Sequence, residues 1–403
     1  MPTDEQSEGV GERIAVQRKL AGLTQQALAK RAHVSLSLIK GVEQGRIPAS
    51  PALVSQVSRA LKVEATILLG QPYRPEDRSS LRVHSVIPGL RRALAAYRLP
   101  ADEGISPRGY DELAAGVAAA SKMRHAATLD VLGAELPGLL DEIRSAIDEA
   151  RGVERQRLFS LLAEAYAAAG QVAWKLGYAD LSSLATERVE WAAKESGDPL
   201  AMGAADFYIA GELIAAAEWR GALSYLDGSR RRLEHVVRKD DEAALSIYGV
   251  LHLKSGLAAA RAGKADESDA HLAEARGIAE RVPLGSDHYR LAFDRDSVNI
   301  WTVGLAVERM DGTEAVKRAH GMRFSKTTPR ERVGHHYIDL ARGYQLHGDR
   351  DRALHTLQIA RRTSPQQVRY HPQVRETLLT LAEQDRRRSD SLAGLARWIG
   401  MPV

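Results

Sequence analysis

Between residues 24 and 46 the chain carries a set of short hydroxyl, amide and cationic side chains: Thr24, Gln25, Ser35, Ser37, Lys40 and Arg46. Their chemistry is hydrogen bonding and charge pairing, the kind that holds phosphates and base edges, and none of them is a nucleophile set beside a base. Bond-making chemistry has little to stand on elsewhere. The sequence contains no cysteine, which removes disulfides, thiolate zinc sites, iron–sulfur clusters and cysteine catalysis. Its 13 histidines include no His-Glu-x-x-His pair. His335, His336 and Asp339 are close enough to share one helical face, yet they are too few and too loosely spaced to be expected to hold a metal. There is no Gly-x-Gly-x-x-Gly after a strand, no glycine-rich phosphate loop with Lys and Ser/Thr, and no Gly-x-Ser-x-Gly elbow. No enzyme activity, metal or cofactor is expected.

The polar set lies in a basic module. Residues 10–70 hold nine Lys or Arg against three Glu, a net +6, so the rest of the chain carries −2 of the total +4. A small cationic unit joined to a large, slightly acidic one implies that the first meets a polyanion while the second keeps the molecule in solution. With 403 residues the chain exceeds what one core usually holds, so two or more domains are expected. No run of eighteen apolar residues occurs, and residues 1–9 carry three acids and no basic group, so neither a membrane span nor a secretory signal is expected and the protein is placed in the cytoplasm. Residues 1–9 are read as a disordered tail.

Residues 10–70 read as five short helices. The first spans about 12–21, with Ile14, Leu20 and the following Leu23 facing inward, and Gly22 supplies the left-handed turn that ends it. Thr24 caps a second helix over 25–32, whose Leu28, Ala29 and Ala32 share one side. After a turn at His33 and Val34, Ser35 caps a third helix over 36–44 with Ile39 and Val42 inward, stopped by Gly45. Ser50 followed by Pro51 starts a fourth, and a short fifth covers 65–69. Two short helices joined by a tight turn, with the small Ala29 allowing close crossing, make a helix-turn-helix whose second helix is free to enter a major groove.

The stretch LTQQALAKRAHVSLSLIKGVEQGRIPASPALVSQVSRALKV, residues 23–63, resembles the Cro/repressor, or XRE, family of DNA-binding domains. The resemblance implies that Gln25, beside its cap Thr24, touches a phosphate or flanking base of double-stranded DNA. It further implies that Leu36, Ser37, Lys40 and Gly41 face the groove behind the cap Ser35, with Lys40 and Ser37 reaching base edges, and that Arg46 meets the backbone. Ala27 stands where the family often has Glu, so no capping box forms. Leu36 and Gly41 offer no side-chain hydrogen bonds, which leaves thymine methyl contacts and duplex shape a share of the specificity.

Residues 71–80, with Pro72 and Pro75, have the composition of a linker. From residue 81 to 403 the pattern is helical and repetitive. The clearest unit is Gly334 to Gln367: Tyr337, Leu340, Ala341 and Tyr344 in one helix, Gly348-Asp349 at the turn, Ala353, Leu357 and Ala360 in the next, and Pro365 near the end. This spacing resembles a tetratricopeptide repeat. Weaker copies keep its phase at Gly256, Gly263, Leu272 and Ala275, at Ala210, Trp219, Ala222 and Leu226, at Gly170, Gly177 and Ser182, and near Val303, Ala315 and Met322. Residues 110–150 supply one more pair and residues 374–401 a terminal cap. The expected fold is all-α: the five-helix head, then a right-handed α-solenoid of tetratricopeptide-like pairs whose first helices line a concave groove. The run Arg386-Arg387-Arg388 reads as a solvated helix end.

The plan resembles actinobacterial transcriptional regulators and is similar in architecture to peptide-sensing quorum regulators. That resemblance implies a homodimer on a palindromic operator and a small-molecule or peptide effector in the groove. Carrying the repeat's inward positions onto this chain selects Gln171, Trp174, Lys175, Phe207, Arg261, Ile300, His335 and Arg342, with Arg295 and Asn299 added from the segment beside them. Cations at the groove's ends would pair with an effector carboxylate; the same residues also suit a merely hydrated helix face. Asn299, the sole asparagine, is read either as a bridge between helices or as a partner for a ligand peptide group. Asp294, Arg295 and Asp296 read as a solvated charge cluster. The rival class is an interaction scaffold whose head is a docking domain.

Overall fold

Cap and stop residues set the helices of the head. In the computed structural model, which describes residues 9–75, 77–99, 104, 106–237, 241–384 and 390–401, these are α1 (Val10–Leu20), α2 (Gln25–Arg31), α3 (Leu36–Glu43), α4 (Pro51–Leu61) and α5 (Ala65–Leu69). The hydroxyls of Thr24, Ser35 and Ser50 accept the Ala27, Leu38 and Leu53 amides at 3.1, 3.1 and 3.2 Å, satisfying donors that a helix start leaves free. Ile14, Leu28, Ala29, Ile39, Val42 and Val57 form the head's core. Gly11 lets α1 cross α3 closely: a Cβ there would lie 2.0 Å from the Val42 carbonyl oxygen.

Leu20 departs from expectation, being 76% exposed. The inward place on that turn is taken by Arg18, buried because its guanidinium is paired inside the head. The tail expected over residues 1–9 lies, but for Gly9, outside the described residues, as does the Arg386-Arg387-Arg388 run.

The segment after the head is packed rather than free. Tyr73 is buried with the Arg375 guanidinium 4.0 Å over its ring, and α6 (Arg78–His84) already begins inside the expected linker, followed by α7 (Ile87–Ala95). Six antiparallel pairs then stack in chain order: α8 (Tyr110–His125) with α9 (Leu129–Glu149), α10 (Gly152–Lys175) with α11 (Ala179–Ser196), α12 (Pro199–Ala215) with α13 (Trp219–Val237), α14 (Glu242–Arg261) with α15 (Ala265–Ala279), α16 (Arg295–Glu308) with α17 (Gly312–Ala319), and α18 (Arg330–His347) with α19 (Arg350–Thr363). The terminal helices are α20 (Pro365–Tyr370), α21 (Pro372–Gln384) and α22 (Asp390–Trp398). Among the described residues there is no strand. Ala341, Ala353, Leu357 and Ala360 are fully buried between α18 and α19, where small residues let the backbones approach. Helix α14 is long and apolar enough to cross a bilayer, but 78% of its most apolar window is buried inside the protein.

The stack returns to its own beginning. The Gln366 amide oxygen in α20 accepts the Leu129 and Asp130 amides at 2.6 and 3.3 Å, and its amide nitrogen donates to Asp130 at 2.7 Å. Lys175 at the end of α10 meets Glu331 at the start of α18, Nζ to Oε2 2.5 Å, and donates to Gln367 at 3.0 Å.

Gly11→Ala should cost about 1–3 kcal/mol of head stability, because its contact is with backbone that cannot rotate away. Faster amide hydrogen exchange in α1–α3 of the full chain, with the body unchanged, is the expected result.

Candidate nucleic-acid interface

Helix α3 offers one polar face. Ser37, Lys40 and Gln44 are exposed at helical spacing, with His33 and Ser35 before them and Arg46 after. The opposite side, Ile39, Val42 and Glu43, packs inward. Ser35 and Ser37 share a hydroxyl contact of 3.0 Å, and Arg46 donates to the Gln44 side chain. The capped starts of α2 and α3 lie at the ends of this face, where backbone N–H groups and the positive helix end favour phosphate. Gln44 and His33 were not among the sequence candidates; continuing the Ser37, Lys40 spacing by one more turn would have found Gln44.

Two sequence candidates face inward instead. Gly41 is buried, and a Cβ on it would lie 2.4 Å from Ile47 Cδ1; its absent side chain admits the chain's return after the helix, where the Ile47 amide donates to the Gly41 carbonyl at 3.1 Å. Leu36 is half-buried against the head's core. Gln25 donates to Glu43 Oε2 at 2.7 Å, the same carboxylate that holds Arg18 at 2.6 and 2.9 Å. This carboxylate ties α1, α2 and α3 together, and the Glu43 hydrogen bond raises the Arg18 pKa against the opposing effect of burial.

The body grips the head beside this face. Glu376 of α21 accepts the Ala49 amide at 2.9 Å, and the Glu383 carboxylate lies where a Gly45 side chain would be. Arg59 of α4 pairs with Glu218 at 2.9 Å with both side chains at least half exposed, an ion pair of small energetic weight. The loop that carries Arg46 is therefore fixed at both ends by one body helix.

Several groove candidates are buried and paired within the protein. Lys175 is committed to Glu331, whose carboxyl is held well below its usual range: burial raises it, and Lys175, Arg332 and Arg124 together outweigh that. Arg261 reaches Glu308 at 2.8 Å, and Arg342 contacts Glu308 at 3.4 Å and Asp339 at 3.1 Å. These cations serve the protein's own carboxylates rather than waiting for an effector's, because a buried charge needs a partner. Lys254 Nζ lies 3.8 Å from the Phe207 ring centre, and Ile300 is buried. Trp174 is 51% exposed, Gln171 is half-buried and Arg295 points to solvent. Asn299 is half-buried, and among the described residues its side chain has no hydrogen-bond partner bridging to a neighbouring helix.

Asp294 and Asp296 are buried, not solvated: Asp294 caps α16 at Ser297 and takes the Gly285 amide, while Asp296 accepts from Ser325 and Thr328 at 2.7 Å. His335 sits 3.5 Å from Asp339, whereas His336 turns to Phe324, so these three do not converge. Among the described residues no group of three potential ligands could hold a metal ion.

Residues 10–66 match the family described as a helix-turn-helix domain, which supports DNA binding by the head. A comparison with curated proteins returns no match. Among solved structures the chain is similar to the crystal structure of BtubC (BKLC) from P. vanneervenii, at 15% identity and a TM-score of 0.37 over 69% of this chain and 96% of that one, a likeness too distant to bear on function.

Two outcomes follow. Glu43→Ala leaves Arg18 buried without its carboxylate and should destabilise the head by about 3–5 kcal/mol, measured by hydrogen exchange in α1–α3. For Lys254, burial lowers the pKa from 10.5 to about 7, with Arg332 and Arg261 adding to that and Glu212 opposing. The unfolded chain binds a proton that the folded chain has released, so stability rises with pH from about 7 to about 10. Lys254→Met should flatten that rise in thermal melts at pH 7 and pH 9.

Proposed function

We propose that this protein is a sequence-specific transcriptional regulator of the XRE type, whose tetratricopeptide-like body senses a peptide or small-molecule effector and adjusts a homodimer of DNA-binding heads. It acts without catalysing a reaction, on chromosomal DNA in the cytoplasm. The observation that carries the reading is the exposed face of α3, Ser37, Lys40 and Gln44, set between capped helix starts and Arg46 on the +6 head. In a dimer, two such faces about one duplex turn apart would meet the half-sites of a palindrome.

Regulation is supported by the grip of α21 on the loop after α3. A ligand that binds two arrangements of the body with different affinity would shift the position of Glu376 and Glu383, and with them Arg46. The exposed Val16 and Leu20, one turn apart on α1, offer an apolar surface that a second copy could cover.

Genome-wide mapping of bound fragments, followed by anisotropy titration of the recovered duplex, tests the reading. Lys40→Ala should weaken binding by about 1–3 kcal/mol, and affinity should fall roughly a thousandfold between about 50 and 200 mM salt. Binding that ignores salt and sequence, or no binding to any fragment, would overturn it.

A further inference from the structure

The connection between α15 and α16 is fifteen residues long, 280–294, longer than joining two stacked helices requires. It crosses the first helices of the stack. Ser286 and His288 contact Glu242 of α14 at 2.7 and 2.8 Å. The Tyr289 hydroxyl donates to Asp198 at the start of α12, and Arg290 donates to Glu164 of α10 at 2.8 Å. Asp287 accepts from Ser121 at 3.2 Å and lies 3.6 Å from His125, both on α8. The main chain is held as well: Arg124 of α8 donates to the Arg290 carbonyl, and Arg332 of α18 donates to that of Leu291 at 3.4 Å. All these partners lie on first helices of the pairs or at their starts. Helices α8, α10, α12 and α14 thus bind a short segment side chain by side chain, with acids opposite its Arg, Tyr and His and a histidine opposite its acid.

The bound shape is imposed by the site. Tyr289, Arg290 and Ala292 have φ of 48°, 60° and 48°, a left-handed conformation that side chains other than glycine disfavour. A cavity of about 10 Å³, bordered by Ser121, Arg124, Glu164 and Tyr208, remains beside Arg290.

We propose that this concave face is a peptide-binding site with residues 286–291 as its built-in occupant, and that a peptide presenting Asp-x-Tyr-Arg in that order displaces them. This rests on the reading of the body as a sensor and names the chemical class it senses. A free peptide that makes the same pairings competes with the tethered segment through its concentration. Displacement releases Leu291 from Arg332 on α18, and α18 packs against α21, the helix that grips the head.

The test uses the full chain and a fluorescein-labelled peptide of sequence LGSDHYRLAF. The double substitution Tyr289→Ala, Arg290→Ala removes the segment's pairings with Asp198 and Glu164; this variant should bind the peptide at least about tenfold more tightly than the wild type. Adding Glu164→Gln should reverse the gain, and a peptide with Glu in place of Arg should fail to bind. A folded double variant that does not take up the peptide, or one indifferent to Glu164→Gln, overturns the proposal. Should the double variant fail to fold, hydrogen exchange of the wild type decides. Amides 286–292 opening while α14 and α16 stay protected support displacement, and exchange only with global unfolding overturns it. Anisotropy with DNA is read separately, so a chain that binds peptide but no duplex sinks the regulator reading and leaves this one.

Discussion

The buried pair Lys175–Glu331 is the constraint around which the body is organised. It joins side chains 156 positions apart, and together with Gln366 on the α9 start it brings the last helix pairs back against the first. A pair this deeply buried is costly to desolvate and gives little net stability against an apolar equivalent, but breaking it leaves an uncompensated charge. Its consequence is specificity: only one curvature of the stack lets Lys175, Glu331 and Gln367 meet. In the same body Arg261, Glu308, Arg342 and Asp339 satisfy one another.

Closure also fixes where α21 lies, and α21 holds the head. Glu376 accepts a backbone amide from the loop after α3, so the position of Arg46 follows from how the stack closes. Burial pushes the Glu376 carboxyl upward, with the Ala49 amide and Arg13 opposing. The Ala49 amide and Arg13 offset that desolvation only in part. Head and body are also joined at this helix, since Arg375 of α21 stacks on Tyr73 of the connecting segment.

Within the head, most of what places the polar face is local. Ser35 and Ser50 cap their helices as their types and positions imply, and Gly22 and Gly45 adopt the left-handed turns that end theirs. Lys40 and Ser37 are exposed because Ile39 and Val42, their neighbours in the helical period, are buried. Gly41 and Leu20 escaped this logic. Gly41 faces Ile47 from the loop that follows, and Leu20 gives way to Arg18, whose burial depends on Glu43 two helices later.

By itself, the sequence determined the helix starts and stops, the cationic head and the pairing of α18 with α19, because caps, left-handed glycines and small residues at repeat spacing act over three or four positions or across one short turn. Only the tertiary structure decided that Lys175, Arg261 and Arg342 are already paired and that Asp294 and Asp296 are buried. Those outcomes depend on the accumulated curvature of six helix pairs, a sum of small rotations that no local stretch of residues encodes. The same sum carries residues 286–291 across the first helices and sets Glu376 against the head.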